Sequence, residues 1–484
     1  MTENEIYNAI LNDDTDIAEK ELSKEVNSGL EIVSSLLKKT KNKPYPLKKL
    51  QSRLPKLINI STSYTCNLGC KMCLSGFQDT LSHSEEKHLT PENFKKLLPW
   101  VEKASHITFA GIGETMYSPY VLDFIRSVNH KVTILLTSGV NLNPSNIKEI
   151  IESKLSYLQL SFDGKSSVGH GGGEEKYIND FWKKVNIIQE IKKKLKSKSP
   201  HLCLRLTLDK ENFDGIDEIV EEAQKNGIDE IIIALMYPLH KDYFGSSFFS
   251  SFQISKKLIN KKVKQWKNRG MEINVSVGYK KLHDSNNTCF YVDNFVNFAL
   301  DIERPTVCCT SFNLPMEISG GTIYRYWNSF QFRYLRYLHF CSESNDLPAL
   351  CKICWTENPQ KFSEVGEDFL TPKNLEKEYS LYNRASNLKC EGKLSEAQGL
   401  FLNILDLNPD FPLIGKTYFH LGEIVLAKKE YKEALSYFTL AVQHHFEHKK
   451  AFVYLYLLLR LLEKPKQYKR KKKFNLTWLK ENCL

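Results

Sequence analysis

Between Pro55 and Met271 the chain alternates short apolar, β-branched runs with longer stretches in which apolar residues recur at helical spacing. The runs are LINIS (near 58–62), HITFAG (106–111), VTILLTSG (132–139), LSYLQLSFDG (155–164), LCLRLTLD (202–209) and IDEIIIALMYP (228–238). Their length and β-branched content predict strands. The intervening stretches predict helices: TPENFKKLLPWVEKA opens with the cap-and-proline signal Thr90-Pro91-Glu92, and GIDEIVEEAQKNG stops at Gly227. Strands alternating with helices predict a parallel sheet with right-handed crossovers. Six such units are too few to close an eight-unit barrel. The predicted fold is therefore α/β, an open partial (β/α)6 barrel whose chemistry lies at the carboxyl ends of its strands.

Downstream the pattern changes twice. From Glu272 to about residue 360 a small Cys-rich α+β extension is predicted, with a hairpin at Ile318–Tyr326 (ISGGTIYRY) turned by Gly320-Gly321. From Leu375 the helical period itself repeats: GKLSEAQGLFLNILDLNP (392–409) resembles KEYKEALSYFTLAV (429–442), with Ala397 matching Ala434 and Phe401 matching Phe438. With Leu421-Gly422 as the paired small site, this is similar to two tetratricopeptide repeats, here 37 rather than 34 residues apart, followed by a capping helix at Ala451–Leu462. Two repeats are marginal alone, so they are expected to dock on the α/β body or on a partner. The expected organisation is a helical segment over 1–54, the barrel over 55–271, the extension over 272–360, an all-α repeat domain over 375–463 and a basic tail over 464–484.

Composition narrows the classes. With 484 residues, 42% hydrophobic and 26% charged, the chain is expected to be a soluble, multidomain globular protein. The N-terminus MTENEIYNAILNDDTD carries no signal-peptide pattern, and no run approaches 18 apolar residues, so no membrane association and a cytoplasmic location are expected. The net charge of +10 sits largely in Lys192–Lys198 and Lys464–Lys473, which read as solvated faces or tails. A nucleic-acid partner is not expected, because no stacking-aromatic motif accompanies the charge. In a reducing compartment twelve cysteines do not form a disulfide framework; clustered ones point to metal or catalysis. Cys203, Cys390 and Cys483 stand alone and read as ordinary thiols.

The densest cluster is TSYTCNLGCKMCLSG (62–76), which places Cys66, Cys70 and Cys73 just after the first predicted strand. Thiolates suit zinc or iron–sulfur. Three of them leave an open position on a zinc ion, and on a four-iron cubane they leave one iron for a non-protein ligand. Three thiols buried for packing is the bland alternative. The run resembles the signature of the radical S-adenosylmethionine superfamily, and the resemblance extends in order and spacing from Ile58 to Pro238. It implies that Cys66, Cys70 and Cys73 hold a [4Fe-4S] cluster whose open iron is chelated by S-adenosyl-L-methionine. It further implies that an electron from a flavodoxin- or ferredoxin-type donor splits the cofactor, giving methionine and a 5'-deoxyadenosyl radical that removes a substrate hydrogen. Met72 stands where the family has an aromatic residue over the adenine. Gly111-Ile112-Gly113-Glu114 resembles the family's Gly-Gly-Glu segment, which implies contact with the cofactor's amino group. Ser138, Ser161 and Asp163 match strand-end positions that contact the ribose or the methionyl carboxylate, and each equally suits a helix cap. Arg205 suits the same carboxylate or a structural salt bridge.

A second set, Cys308, Cys309, Cys341, Cys351 and Cys354, includes the Cys-x-x-Cys of LCKICW. It resembles the SPASM or shortened twitch extension, implying an auxiliary [4Fe-4S] cluster on Cys309, Cys341, Cys351 and Cys354, with Cys308 as alternative. In this chain Tyr326 or Trp327 stands at the usual post-hairpin ligand position, and Cys289 is a reserve. Zinc on the same four thiolates is the other reading. The auxiliary group would bind substrate, accept an electron or hold the fold. The resulting expectation is an enzyme that modifies a peptide or protein, with the helical repeats receiving the partner chain. The alternatives are radical oxidation or epimerisation of a sugar-like metabolite, and a non-catalytic iron–sulfur scaffold or RNA-binding protein. No acid, base or hydrogen donor is assigned.

Overall fold

The computed structural model describes residues 2–23, 30–43, 45–73, 87–111, 113–237, 246–275, 289, 291–300, 302, 305–308, 323–340, 347–352, 354, 363–364, 375–444 and 448–462. All six predicted strands are present: β1 (Leu57–Ile60), β2 (His106–Phe109), β3 (Val132–Thr137), β4 (Tyr157–Ser161), β5 (His201–Leu208) and β6 (Glu230–Leu235). Two more, β7 (Glu272–Val275) and β8 (Phe295–Phe298), complete an eight-stranded sheet of order β7-β6-β5-β4-β3-β2-β1-β8. Every neighbouring pair is parallel. The sheet thus extends past the boundary expected at residue 271. EINV and FVNF are four residues each, too short for a periodic signal, and β8 finds its place only by pairing with β1.

The two faces of the sheet differ. Leu202, Leu204, Leu206 and Leu208 of β5 are fully buried, flanked in register by Leu158 and Leu160 and by Ile231, Ile233 and Leu235. This face joins one core with the apolar stripes of helices Pro91–Val101, Pro144–Glu152, Glu175–Lys194 and Ile216–Lys225. Each leucine so buried contributes about 1.5–3 kcal/mol. The opposite face is polar: Asn297, Asn59 and Thr108 share one row, and Gln159, Cys203 and Glu230 another. Strand alternation puts His201 and Arg205 on that same face.

The C-terminal region is helical: Glu376–Cys390, Leu394–Leu407, Ile414–Ala427, Tyr431–His444 and Lys449–Leu462 each pack on the next. Ala397, Phe401, Ala434 and Phe438 are fully buried, and a Cβ on Gly422 would lie 2.8 Å from the Phe438 ring. The last helix is buried along most of its length against Glu3–Leu11, Glu31–Thr40 and Phe330–Phe340. Polar ties reinforce the contact: Arg460 Nη2 donates to the carbonyls of Thr40 (2.7 Å) and Lys43 (2.9 Å), and Tyr456 Oη donates to Asp13 (3.1 Å). The N-terminal helices therefore join the helical region to the body.

Two expectations change. Ile323–Trp327 is a helix rather than a hairpin strand, and 318–322 lies outside the described residues. Tyr326 and Trp327 are both buried, edge-on to Trp100 at 5.8 and 6.4 Å. A strand would turn one of two consecutive rings outward; a helix buries both. The Lys192–Lys198 run is not wholly solvated either, since Lys192 is buried with its Nζ on the Pro200 carbonyl at 2.8 Å. The basic tail and Cys483 lie outside the described residues.

Candidate active site

The cysteine run begins where β1 ends. Ser61, Thr62 and Ser63 are buried, and the backbone is strapped by Leu89 N to Thr62 O (3.0 Å) and Tyr64 N to Lys87 O (3.0 Å). Beyond β2, Gly113 N donates to Ser63 O (3.2 Å) and Glu114 N to Thr65 O (2.8 Å), so the segment after β2 lies directly on the start of the loop. The approach requires glycine: a Cβ on Gly113 would strike the Ser63 carbonyl and come within 2.7 Å of the Tyr64 carbonyl carbon. From the other side Met72 N donates to Val168 O at 3.1 Å, in the loop after β4. The three cysteines are thus held between the carboxyl ends of β2 and β4, with Cys70 buried and Cys66 and Cys73 half-buried.

Burial pushes the Cys66 and Cys70 thiols up, Cys70 to about 12, and neighbouring thiols and the carboxylates of Glu114 (for Cys66) and Asp163 (for Cys70) add to the shift. Left alone, these groups stay protonated. A metal centre would supply the positive charge that turns them into thiolates. Three thiols on one loop suit an iron–sulfur cluster in type and placement, while among the described residues their sulfurs are not gathered within ligand distance of one another.

Glu114 is buried, and its carboxylate meets four donors. Met116 N (3.0 Å) and Thr137 Oγ1 (2.5 Å) reach Oε1; Ser138 N (2.8 Å) and Ser138 Oγ (2.5 Å) reach Oε2. A carboxylate has about four acceptor sites. Glu114 and Ser138 therefore tie the ends of β2 and β3 to each other. Asp163 is fully buried after β4: it accepts from Thr207 N (2.8 Å), His170 N (3.0 Å) and the His170 ring. Burial alone would raise the Asp163 carboxyl, but His170 overrides it and holds the group below its ordinary value. Burial alone would likewise lower His170, and Asp163 raises it. Ser161 is buried and sits opposite Arg205 in the β4–β5 register. Arg205 is half-buried on the polar face; among the described residues it makes no ion pair and donates one long hydrogen bond, 3.4 Å, to Gln159. Burial pulls the guanidinium below its ordinary value, while the nearby Tyr291 and Asp163 oppose the shift.

The sequence reading missed Thr137, Val168 and His170. The run GHGGG (169–173) was the available signal. A Cβ on Gly169 would come within 2.6 Å of Asp163 Cβ, so glycine lets this loop close over the carboxylate. Beside it opens a cavity of about 890 Å³ lined by Asn67–Lys71, Ser167, Gly169, Gly172, Tyr177 and Lys183. That volume suits a nucleotide-sized ligand next to Cys70.

The second cysteine set is described in part. Cys309 and Cys341 lie outside the described residues. Cys354 and Cys289 are buried, Cys308 and Cys351 half-buried, and Cys351 Sγ lies 3.5 Å from His339 Nε2. Among the described residues these thiols do not converge as a metal-binding group.

No protein-family model matches the sequence. A curated relative, the S-adenosylmethionine-dependent nucleotide dehydratase of Flammeovirga pacifica, is 30% identical over 115 residues, which is 23% of this chain and 39% of that protein. The chain therefore matches well under half the length of this relative. Among solved structures, Streptococcus suis SuiB bound to S-adenosylmethionine aligns at TM-score 0.45 and 13% identity, over 64% of this chain and 72% of SuiB. SuiB bound to its precursor peptide SuiA aligns at 0.47 and 12%, over 70% and 76%. The anSMEcpe structure with bound AdoMet aligns at 0.46 and 16%, over 65% and 93%. No helix among the described residues is long and apolar enough to cross a membrane.

Proposed function

We propose that this chain is a radical S-adenosylmethionine enzyme in which Cys66, Cys70 and Cys73 hold a [4Fe-4S] cluster. The observation that carries the reading is the position of the three thiols: one loop, clamped between the ends of β2 and β4, opening onto a nucleotide-sized cavity. When bound, the cluster and S-adenosylmethionine supply one-electron cleavage and hydrogen abstraction. The chain's own residues bind and orient. Gly111 and Gly113 let the segment after β2 lie against Ser61 and the start of the cysteine loop, Arg205 offers a carboxylate a partly desolvated cation, and Tyr177 with Gly169 and Gly172 walls the nucleotide end. Glu114, Ser138 and Asp163 hold this frame from behind through the bonds described above. An auxiliary cluster on Cys351, Cys354 and thiols outside the described residues belongs to the same proposal.

Two substrate classes are consistent with it. A peptide or protein substrate follows from the SPASM-like cysteine set, with the helical region fixed to the body as a platform. A nucleotide substrate is favoured by the dehydratase relative and by Lys71, Lys176 and Lys183 on the cavity wall, which outnumber Glu174 and Asp180. The test is anaerobic incubation of the reconstituted chain with S-adenosylmethionine and a reductant. Wild type yields 5'-deoxyadenosine, Cys70→Ala does not, and addition of peptide or nucleoside triphosphate pools shows which class raises the yield. Purified protein containing zinc and no iron, or a Cys70→Ala variant as productive as wild type, sinks the proposal.

A further inference from the structure

Cys203 reads in the sequence as an isolated thiol, but the fold gives it two partners. It lies on the polar face near the amino end of β5, paired in register with Glu230 of β6. His201, two residues earlier on β5, points to the same face. The ligand atoms of His201, Cys203 and Glu230 all lie within 4.8 Å of one another. Leu208, at the carboxyl end of β5, is five residues beyond Cys203, or about 16 Å, so this cluster is separate from the cysteine loop.

Two of the three ligand-to-ligand distances match the edges of a tetrahedral metal site, and the third lies within 4.8 Å. Glu230 Oε2 lies 3.5 Å from His201 Nε2 and 3.7 Å from Cys203 Sγ. Tetrahedral zinc with ordinary Zn–N, Zn–O and Zn–S bonds sets its N···O and O···S edges at about 3.4 and 3.6 Å. The surroundings hold two of the ligands. Asn274 Nδ2 donates to the other oxygen of Glu230 at 2.5 Å, which leaves Oε2 for the site. The Tyr157 ring packs edge-on against the His201 imidazole, and Asp229, fixed by Leu202 N at 2.7 Å, lies 3.9 Å from His201 Nδ1, beyond direct hydrogen-bond reach.

We propose that His201, Cys203 and Glu230 bind a single divalent cation of the zinc class, with water in the fourth position. Cys203 is fully buried and Glu230 nearly so. Burial raises both groups when no cation is near, so metal binding displaces the thiol proton to solvent and leaves thiolate and carboxylate paired with the ion. His201, about one-third exposed, provides the entry side. Three ligands from adjacent strands pin β5 to β6 at the end of the sheet opposite the cysteine loop. A nitrogen, sulfur and carboxylate set excludes magnesium and calcium, which take oxygen ligands.

The test compares the full-length wild type, Cys203→Ser and Glu230→Gln, each purified anaerobically, exposed to excess Zn2+ and desalted. Wild type should retain one zinc per chain more than either variant, while iron per chain stays equal in all three, which separates this site from zinc misplaced in the iron–sulfur cysteines. Co2+ should give wild type a thiolate-to-cobalt charge-transfer band that Cys203→Ser lacks, and zinc should raise the unfolding midpoint of wild type but not of Glu230→Gln. Should Cys203→Ser fail to fold, the near-isosteric Glu230→Gln decides by the same zinc difference. Equal zinc in wild type and Glu230→Gln overturns the proposal.

Discussion

Glutamine at position 114 separates two roles for the carboxylate, a hub that closes the frame and a ligand that faces the cofactor. Oε1 receives Met116 N and Thr137 Oγ1, and Oε2 receives Ser138 N and Ser138 Oγ. Glu114→Gln replaces one oxygen by an NH2 group. Either hydroxyl can rotate to accept from it, but a backbone N–H cannot. Whichever way the amide turns, Met116 N or Ser138 N faces a donor. An unpaired buried N–H costs about 1–3 kcal/mol, and the surviving bonds lose their charge assistance, for a total of about 2–4 kcal/mol. At about 2–4 °C per kcal/mol for a domain of this size, the unfolding midpoint should fall by roughly 4–16 °C. Tryptophan fluorescence during anaerobic heating reads this directly, since Trp100 and Trp266 are buried in the core of the body. A variant within 1 °C of wild type that no longer binds S-adenosylmethionine would refute the reasoning, because the carboxylate would then be turned to the ligand rather than to the four donors.

Other consequences follow from the same geometry. Gly113→Ala should lower the iron retained after reconstitution several-fold without changing far-UV circular dichroism. Its Cβ meets the backbone of Ser63, Tyr64 and Thr65, which can yield only by shifting the cysteine loop, at about 1–3 kcal/mol; full iron content would count against the close approach. In the helical region burial alone would raise Glu423, but a hydrogen bond with His420 and the charges of Lys389 and Lys450 bring it down from 4.5 to about 2. A depressed carboxylate contributes stability above its unfolded value and loses it as pH falls through the folded one. The helical region should therefore lose roughly 3 kcal/mol between about pH 4.5 and pH 2. Acid titration of Glu423→Gln should lack that loss, and identical acid curves would dismiss the pairing.

Much of the body was legible because its signals are local. Six apolar runs of strand length alternate with capped helices, and each forms a strand of the parallel sheet within a few residues of its predicted place. The three clustered thiols, Glu114, Ser138 and Asp163 could be picked out because they follow strands, where an α/β sheet exposes functional groups, and the structure places them just beyond the ends of β1, β2, β3 and β4; Arg205 lies within β5. The partners of these groups could not. Nothing in GIGE announces that Thr137 and Ser138 close on Glu114, and nothing in SFDG announces that His170 closes on Asp163. The hairpin predicted from Gly320-Gly321 relied on a turn signal, while the burial of Tyr326 and Trp327 against Trp100, more than 200 residues away, made the following segment helical.

The sequence by itself determined the order of strands and helices and the spacing of the three thiols, since both depend on residues close together in the chain. Tertiary structure alone decided that β8 closes on β1, that the last helix is sealed against the first forty residues, and that Cys203 stands beside Glu230. Hydrophobic period records which face of an element is buried; it carries no record of which distant element buries it.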